Sequence, residues 1–239
     1  MAIQSKPASA GKLILLIVVA AVVWGLDAWK KSHPASGPAP RMTPRQTPEK
    51  PKPAHAPSIP KSPETAGGYE VYQNCRLDTE RNNDGDSFAI KLPDGQTEIF
   101  RLYFVDTPES EFKEYRDGRS NHERIDQQAG YFGITPEKSV EIGKKAKNFV
   151  VERLTSRPFT LYTAWDSPYD DERYHAFIEF PTNGGARSLD ELLVEQGLCR
   201  IYTKGADTPD GTPMNRRKDQ LRAIERQARD RRVGAWGLR

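Results

Sequence analysis

Ten of the chain's 19 prolines fall between His33 and Glu64, in a run of Pro, Ala, Ser, Lys and Thr with almost no large apolar residue. Such a segment cannot bury enough surface to offset the entropy of ordering it. It reads as an extended, semi-rigid spacer, with a reach on the order of 100 Å at ~3.1 Å per residue. Ahead of it lies an uncharged apolar stretch, Leu13 to Leu26, flanked by Lys6 and Lys12 on one side and by Asp27, Lys30 and Lys31 on the other. That length suits a signal-peptide core, and Ala28 and Trp29 extend it to about 17 residues, enough for a short membrane span with snorkelling lysines. Trp24 and Trp29 flank the only small residues suited to cleavage, so an uncleaved anchor is the expectation and a removed signal peptide the alternative. Because lysine counts on the two flanks are nearly equal, the positive-inside rule does not fix an orientation. The expected organisation is a signal or membrane-anchor segment (1–32), a disordered linker (33–68) and a single folded domain (69–239), long enough for a full core.

The formal charge of +3 is unevenly spread. Residues 1–68 hold 9 of the 36 Lys and Arg and 3 of the 33 Asp and Glu, which leaves the remaining 171 residues with 27 basic and 30 acidic side chains. Within these, Asn215 to Arg232 carries eight basic residues against three acids. A uniformly basic binding surface is excluded. A nucleic-acid ligand would be met by a local basic element and a few placed arginines, with a bound divalent cation offsetting part of the acid excess. Cys75 and Cys199 stand far apart, with no Cys-x-x-Cys and no zinc-like spacing with His. A metal site would therefore be built of oxygen. Whether the two cysteines form a long-loop disulfide or remain buried thiols is left open by the sequence.

After Gly68 the pattern turns globular. Ser87 to Leu92 and Thr97 to Val105 flank Pro93-Asp-Gly-Gln96, a hairpin signal; Pro158 to Ala164 and Arg173 to Phe180 read as further strands, separated by the polar turn 166–172. Thr135-Pro136 starts a helix over 136–154, with Ile142, Ala146, Phe149, Val150 and Leu154 on one face. Ser188 and Glu191 form a capping-box pattern before Leu189, Leu192 and Leu193, ending at Gly197. A third helix is expected over 215–231, and Arg116 to Phe132 reads as an expanded loop. Strands first and helices later give an α+β domain, with a small barrel plausible.

Chemistry concentrates at two strand ends. Arg101-Leu-Tyr-Phe-Val-Asp-Thr-Pro-Glu109 is a β-type run that breaks at Asp106 and delivers two carboxylates within four residues, and Asp84-Gly-Asp-Ser87 precedes it. An EF-hand frame fails here: with Gly85 at position six, Lys91 would stand at position twelve, where a bidentate acid is needed. Hydrolysis of a phosphodiester accumulates negative charge on the phosphoryl oxygens, which a hard cation and non-ionising guanidinium forks stabilise. Arg101 and Arg173, with Asp86, Asp106 and Glu109, are the residue types that this reaction needs.

Asp-Gly-Asp-Ser, then Phe100-Arg-Leu-Tyr-Phe-Val-Asp-Thr-Pro-Glu109, then Arg173 on a late strand and Leu193-Val-Glu-Gln-Gly-Leu198 together resemble the staphylococcal nuclease (thermonuclease) family, over roughly residues 70–239. The resemblance implies a five-stranded OB-type β-barrel with about three helices, and a calcium-dependent endonuclease acting as a monomer on DNA and RNA and leaving 3′-phosphate ends. On this basis Asp86 and Asp106 would supply carboxylates to Ca²⁺ and Thr107 its carbonyl. Arg101 and Arg173 would hold the phosphate, and Glu109 would orient or deprotonate the attacking water.

Two departures bear on substrate choice. Asp171 and Glu172 stand where the family commonly has tyrosine and glycine, and the 116–132 segment carries His122, Arg119 and Arg124 near where substrate would pass, with a solvated insertion the leading expectation and a substrate gate or selector the alternative. His175 is expected to be structural, and the basic C-terminal helix a solvated face. An exported, membrane-tethered nuclease facing the periplasm or exterior, or a secreted one if the N-terminal segment is cleaved, is the leading reading. Its competitors are a catalytically inactive OB module that binds nucleic acid or protein at the cell envelope, and a structural envelope protein.

Overall fold

In the computed structural model, which describes residues 64–167 and 173–239, the chain runs β1 (Glu64–Ala66), β2 (Tyr69–Leu77), β3 (Ser87–Lys91), β4 (Thr97–Leu102), β5 (Val105–Asp106), α1 (His122–Phe132), α2 (Pro136–Ser156), β6 (Phe159–Thr163), β7 (Arg173–Thr182), β8 (Gly185–Ser188), α3 (Leu189–Glu195), β9 (Arg200–Ile201) and α4 (Met214–Asp230), with a short 3-10 turn at Gly234–Gly237. The apolar N-terminal stretch, nearly all of the Pro-rich segment, and Asp171 and Glu172 lie outside the described residues. Among the described residues, no helix is long and apolar enough to cross a membrane.

Strand order β2-β3-β4-β7-β6, with β6 pairing back onto β2, closes a five-stranded barrel of the OB type, and β1 and β8 extend it at β2 and β7. All pairs are antiparallel except β4 with β7. That parallel pair requires a long crossover, which α1, α2 and β6 provide. Alternation on the strands fills the interior with Phe88, Phe100, Phe159 and Phe180, all fully buried. Register places Ile99 beside Arg173 and Arg101 beside His175. Period-two alternation therefore sets Arg101 and Arg173 on the same face of the pair, opposite to Phe100 and Tyr174.

α2 forms where the sequence indicates. Thr135 Oγ1 accepts a hydrogen bond from the Lys138 N–H, Pro136 opens the first turn, and Ile142, Ala146, Val150 and Leu154 are buried. Each of its large aliphatic side chains contributes roughly 1.5–3 kcal/mol by leaving water.

Three local expectations are corrected. The strand expected over 97–105 breaks after Leu102: Phe104 takes a left-handed conformation (φ 66°), and its N–H donates to the Lys204 carbonyl at 2.8 Å. β5 consequently leaves the barrel and pairs with β9, setting Asp106 opposite Arg200. The segment expected as a loop from 116 contains α1, held by buried Ile125, Gln128, Ala129 and Phe132 and closed by Gly133 at φ 70°, a conformation glycine adopts without steric cost. The described residues of the domain thus contain four α-helices. Ser188 precedes α3 but makes no side-chain cap; its hydroxyl accepts from Arg217 Nη2 at 2.6 Å, and Glu191 pairs with Arg217 and Arg187. Cys75 and Cys199 are free and buried, and burial pushes the Cys75 thiol up to about 12.

Candidate active site

Asp106 is the centre of the site, 1% exposed at the end of β5. An uncompensated carboxylate at that depth would be strongly destabilising, and four side chains from three further elements compensate it. Arg101 Nη2 on β4 lies 3.2 Å from Oδ1, Arg124 Nη2 on α1 lies 2.6 Å from the same oxygen, and Arg200 Nε on β9 lies 2.7 Å from Oδ2. Gln128 Nε2 donates to Oδ2 at 3.0 Å. Gln128 also donates to the Thr107 carbonyl and accepts the Glu109 N–H, both at 3.0 Å, so one buried amide sets the path of the chain from 106 to 109.

Asp86 comes from the turn before β3. Its Oδ2 accepts the Thr107 N–H at 3.0 Å and lies 3.6 Å from the Arg101 nitrogen that also faces Asp106. Gly85 permits this approach, since a Cβ there would stand 2.6 Å from Thr107 Oγ1. Desolvation, opposed by Arg101 and reinforced by the Asp106 carboxylate, pushes the Asp86 pKa up to about 6. Glu109 is more open. Arg124 Nε lies 2.8 Å from its Oε1 in an ion pair without hydrogen-bond alignment, and Asn121 Nδ2 donates to its Oε2 at 3.4 Å. The loop carrying Glu109 rests on α2 at Gly143, where a Cβ would come within 2.2 Å of the Glu109 carbonyl oxygen.

Beside Asp106 opens a cavity of about 300 Å³, lined by Arg101, Asp106, Arg124, Arg173, Tyr202, Thr203 and Lys204. Four basic side chains face it against one carboxylate that is already paired. Arg101 also keeps a buried Nε–H without an acceptor among the described residues. Tyr202 is 62% exposed, with the Arg200 guanidinium 3.8 Å from its ring centroid. His175, beside Arg101, is 1% exposed, and neither ring nitrogen makes a hydrogen bond among the described residues; Nδ1 lies 3.8 Å from Asp166 Oδ2, and burial, opposed by that carboxylate, holds the pKa below the usual imidazole range. It packs on Tyr103 at 5.0 Å between centroids, which fits the structural role expected of it.

The six residues singled out in the sequence lie around this one region: Asp86, Asp106 and Thr107 in direct contact with one another or with Arg101, Glu109 joined to Asp106 through Arg124, and Arg173 at the cavity wall. Gln128 and Arg200 were not assigned there, and Arg124 was named only as a residue near the substrate path. Arg200 and Gln128 are 94 and 22 positions from Asp106. The i, i+4 spacing of Arg124 and Gln128 was a usable signal, because it puts them on one face once 122–132 is recognised as a helix.

Among the described residues, no group of three or more His, Cys, Asp or Glu is gathered closely enough to hold a metal ion by itself. The donors available at Asp86, Asp106 and the Thr107 carbonyl are nonetheless all oxygen, as a hard cation such as Ca²⁺ requires, and they leave most of its six to eight positions to water and phosphate. The raised pKa of Asp86, due first to burial and in part to Asp106, marks a carboxylate whose charged form lacks compensation that a cation would supply. The chemistry of the donors fits the ion, and Asp106 would have to exchange arginine contacts for it.

An OB-type barrel with arginines and carboxylates gathered beside one cavity is consistent with the nuclease-like hydrolase class that the chain's family match supports. The chain belongs to the staphylococcal nuclease homologue family, whose model matches residues 99–237. It is also similar to an uncharacterized protein of Methanocaldococcus jannaschii, with 28% identity over 160 residues, 64% of this chain and 67% of the relative. The family match takes in Arg101, Asp106, Thr107, Glu109 and Arg173, while Asp86 lies upstream of it.

Proposed function

We propose that this protein is a calcium-dependent nuclease that hydrolyses phosphodiester bonds of DNA and RNA by attack of water, leaving 3′-phosphate ends. The observation that carries the reading is the basic cavity against Asp106, with Asp86 sharing the Arg101 contact. Asp86, Asp106 and the Thr107 carbonyl would hold calcium, which when bound supplies charge stabilisation at the phosphoryl oxygens. Arg101 and Arg173 hold the non-bridging oxygens, their charge being insensitive to pH. Glu109, the most open of the three carboxylates, orients the water and accepts its proton. The new bond joins the water oxygen to phosphorus, the P–O5′ bond breaks, and the departing 5′ oxygen takes a proton from solvent, to which Glu109 returns its own.

Leu13 to Leu26 and the prolines that follow support a tether, with a monomeric domain working away from a membrane on the periplasmic or outer side; cleavage of the N-terminal segment would release it. The test is incubation of the full chain with single-stranded DNA and RNA, in calcium or in chelator, with analysis of product ends. Calcium-dependent cuts bearing 3′-phosphates are expected. A folded protein that binds these strands and never cuts them would instead identify an OB binding module.

A further inference from the structure

Asp86, Asp106 and Glu109 are matched by the guanidinium groups of Arg101, Arg124 and Arg200. A divalent cation added to this set leaves an excess of two positive charges around the buried Asp86 and Asp106, unless a cation departs or an anion arrives. The three arginines are not equally free to move. The side chains of Arg101 and Arg200 are 10% and 6% exposed, whereas that of Arg124 is 41% exposed. Arg124 is also the side chain that bridges Asp106 to Glu109, and its pairing with Glu109 is poorly aligned. Its backbone does not have to follow, because Gln128, one turn further along α1, anchors the helix to residues 106–109 by three hydrogen bonds. The guanidinium group already lines the cavity that Arg101 and Arg173 share.

Building on the nuclease reading of this site, we infer that Arg124 is an internal counter-cation that competes with the divalent ion for Asp106 and, once displaced, becomes a third guanidinium on the bound phosphate. α1 is then a part of the active site that exchanges one positive charge for another. Cation binding uncovers Arg124 for substrate, and substrate phosphate draws Arg124 away from Asp106 and Glu109. The two ligands therefore bind with positive coupling through one side chain.

The test is isothermal titration of the full chain with calcium, first alone and then with a single-stranded phosphorothioate oligonucleotide as a slowly cut probe. For Arg124→Ala, calcium affinity without oligonucleotide is expected to rise about tenfold, and oligonucleotide affinity in saturating calcium to fall by a similar factor. Arg124→Gln, which keeps the length and polarity of the side chain, should behave likewise and guards against a loss of fold in the alanine variant. Unchanged or weaker calcium binding in both variants, with the wild-type chain binding calcium and cutting DNA, would overturn the Arg124 role and leave the nuclease reading standing. No calcium binding by either wild type or variants would overturn both.

Discussion

Two cavities in this domain are built around buried arginines, and the larger is the less suited to a phosphate. The first, about 440 Å³, surrounds Arg217 of α4, whose guanidinium is held by Asp190, Glu191 and Ser188, and whose walls include Glu179 and Asp210. The second, about 300 Å³, collects Arg101, Arg124, Arg173 and Lys204 around the one carboxylate Asp106. Each has an arginine side chain 10% exposed, Arg217 in the first and Arg101 in the second, but the balance of charge is reversed. In the first, acids outnumber the guanidinium and the arginine acts as a clamp between α3 and α4. In the second, basic side chains outnumber the one carboxylate; a buried Nε–H without an acceptor among the described residues is common to Arg101 and Arg217 and does not tell the two apart. The sign of the surplus separates a brace from a site; volume does not.

That contrast can be broken by exchanging the two arginines' roles in experiment. On the proposed nuclease reading, Arg173→Ala is expected to reduce cleavage about 10²–10³-fold with the fold intact by circular dichroism, since it would remove a donor to the phosphate at the cavity wall. Arg217→Ala should do the reverse, costing about 3–5 kcal/mol of stability by leaving Asp190 and Glu191 facing each other, with kcat per folded molecule unchanged. Denaturant titrations and single-turnover assays on both variants would decide it; equal activity losses would abolish the distinction.

Smaller effects sharpen it. Gly143→Ala improves helix propensity yet forces a methyl group against the Glu109 carbonyl. A shift of the loop by even part of an ångström should lower kcat by about 10- to 100-fold while circular dichroism stays unchanged. Full activity in that variant would show that the placement of Glu109 is not critical. The smallest effect is that of pH. The folded domain holds the Asp86 proton to about pH 6, against 3.8 for the ordinary group, so this residue's contribution to stability is fully present below the lower value and is lost as pH rises through the upper one. Without calcium, melting should be lower at pH 7 than at pH 5 by about 2–4 °C more in the wild type than in Asp86→Asn, and calcium should restore it at pH 7. An identical pH response in the two proteins would show that Asp86 does not titrate in this range.

Much of the barrel was readable as sequence, because alternation, turn chemistry and caps are local. The hairpin around Asp94-Gly95, the cap at Thr135 and the apolar stripe of α2 each depend on neighbours within a few positions, and each formed close to where the pattern put it. Asp106, Glu109 and Arg101 stood out as candidates for a related reason: they sit in one continuous run at a strand end. α1 was missed although Ile125, Ala129 and Phe132 recur at helical spacing before Gly133, since the charged residues between them masked a short stripe.

What tertiary structure alone decided is the electrostatic environment of Asp106. The break at Phe104 takes Asp106 off the barrel and sets it against Arg200, and the packing of α1 brings Arg124 and Gln128 to the same carboxylate. The capping pattern at Ser188 likewise gave way to Arg217, which lies 29 positions away. Local sequence determines dihedral preferences and which side chains are apolar. Which charges meet is settled by elements distant in the chain, because a buried carboxylate takes its partners from whatever the closed barrel and its packed helices bring within hydrogen-bonding reach.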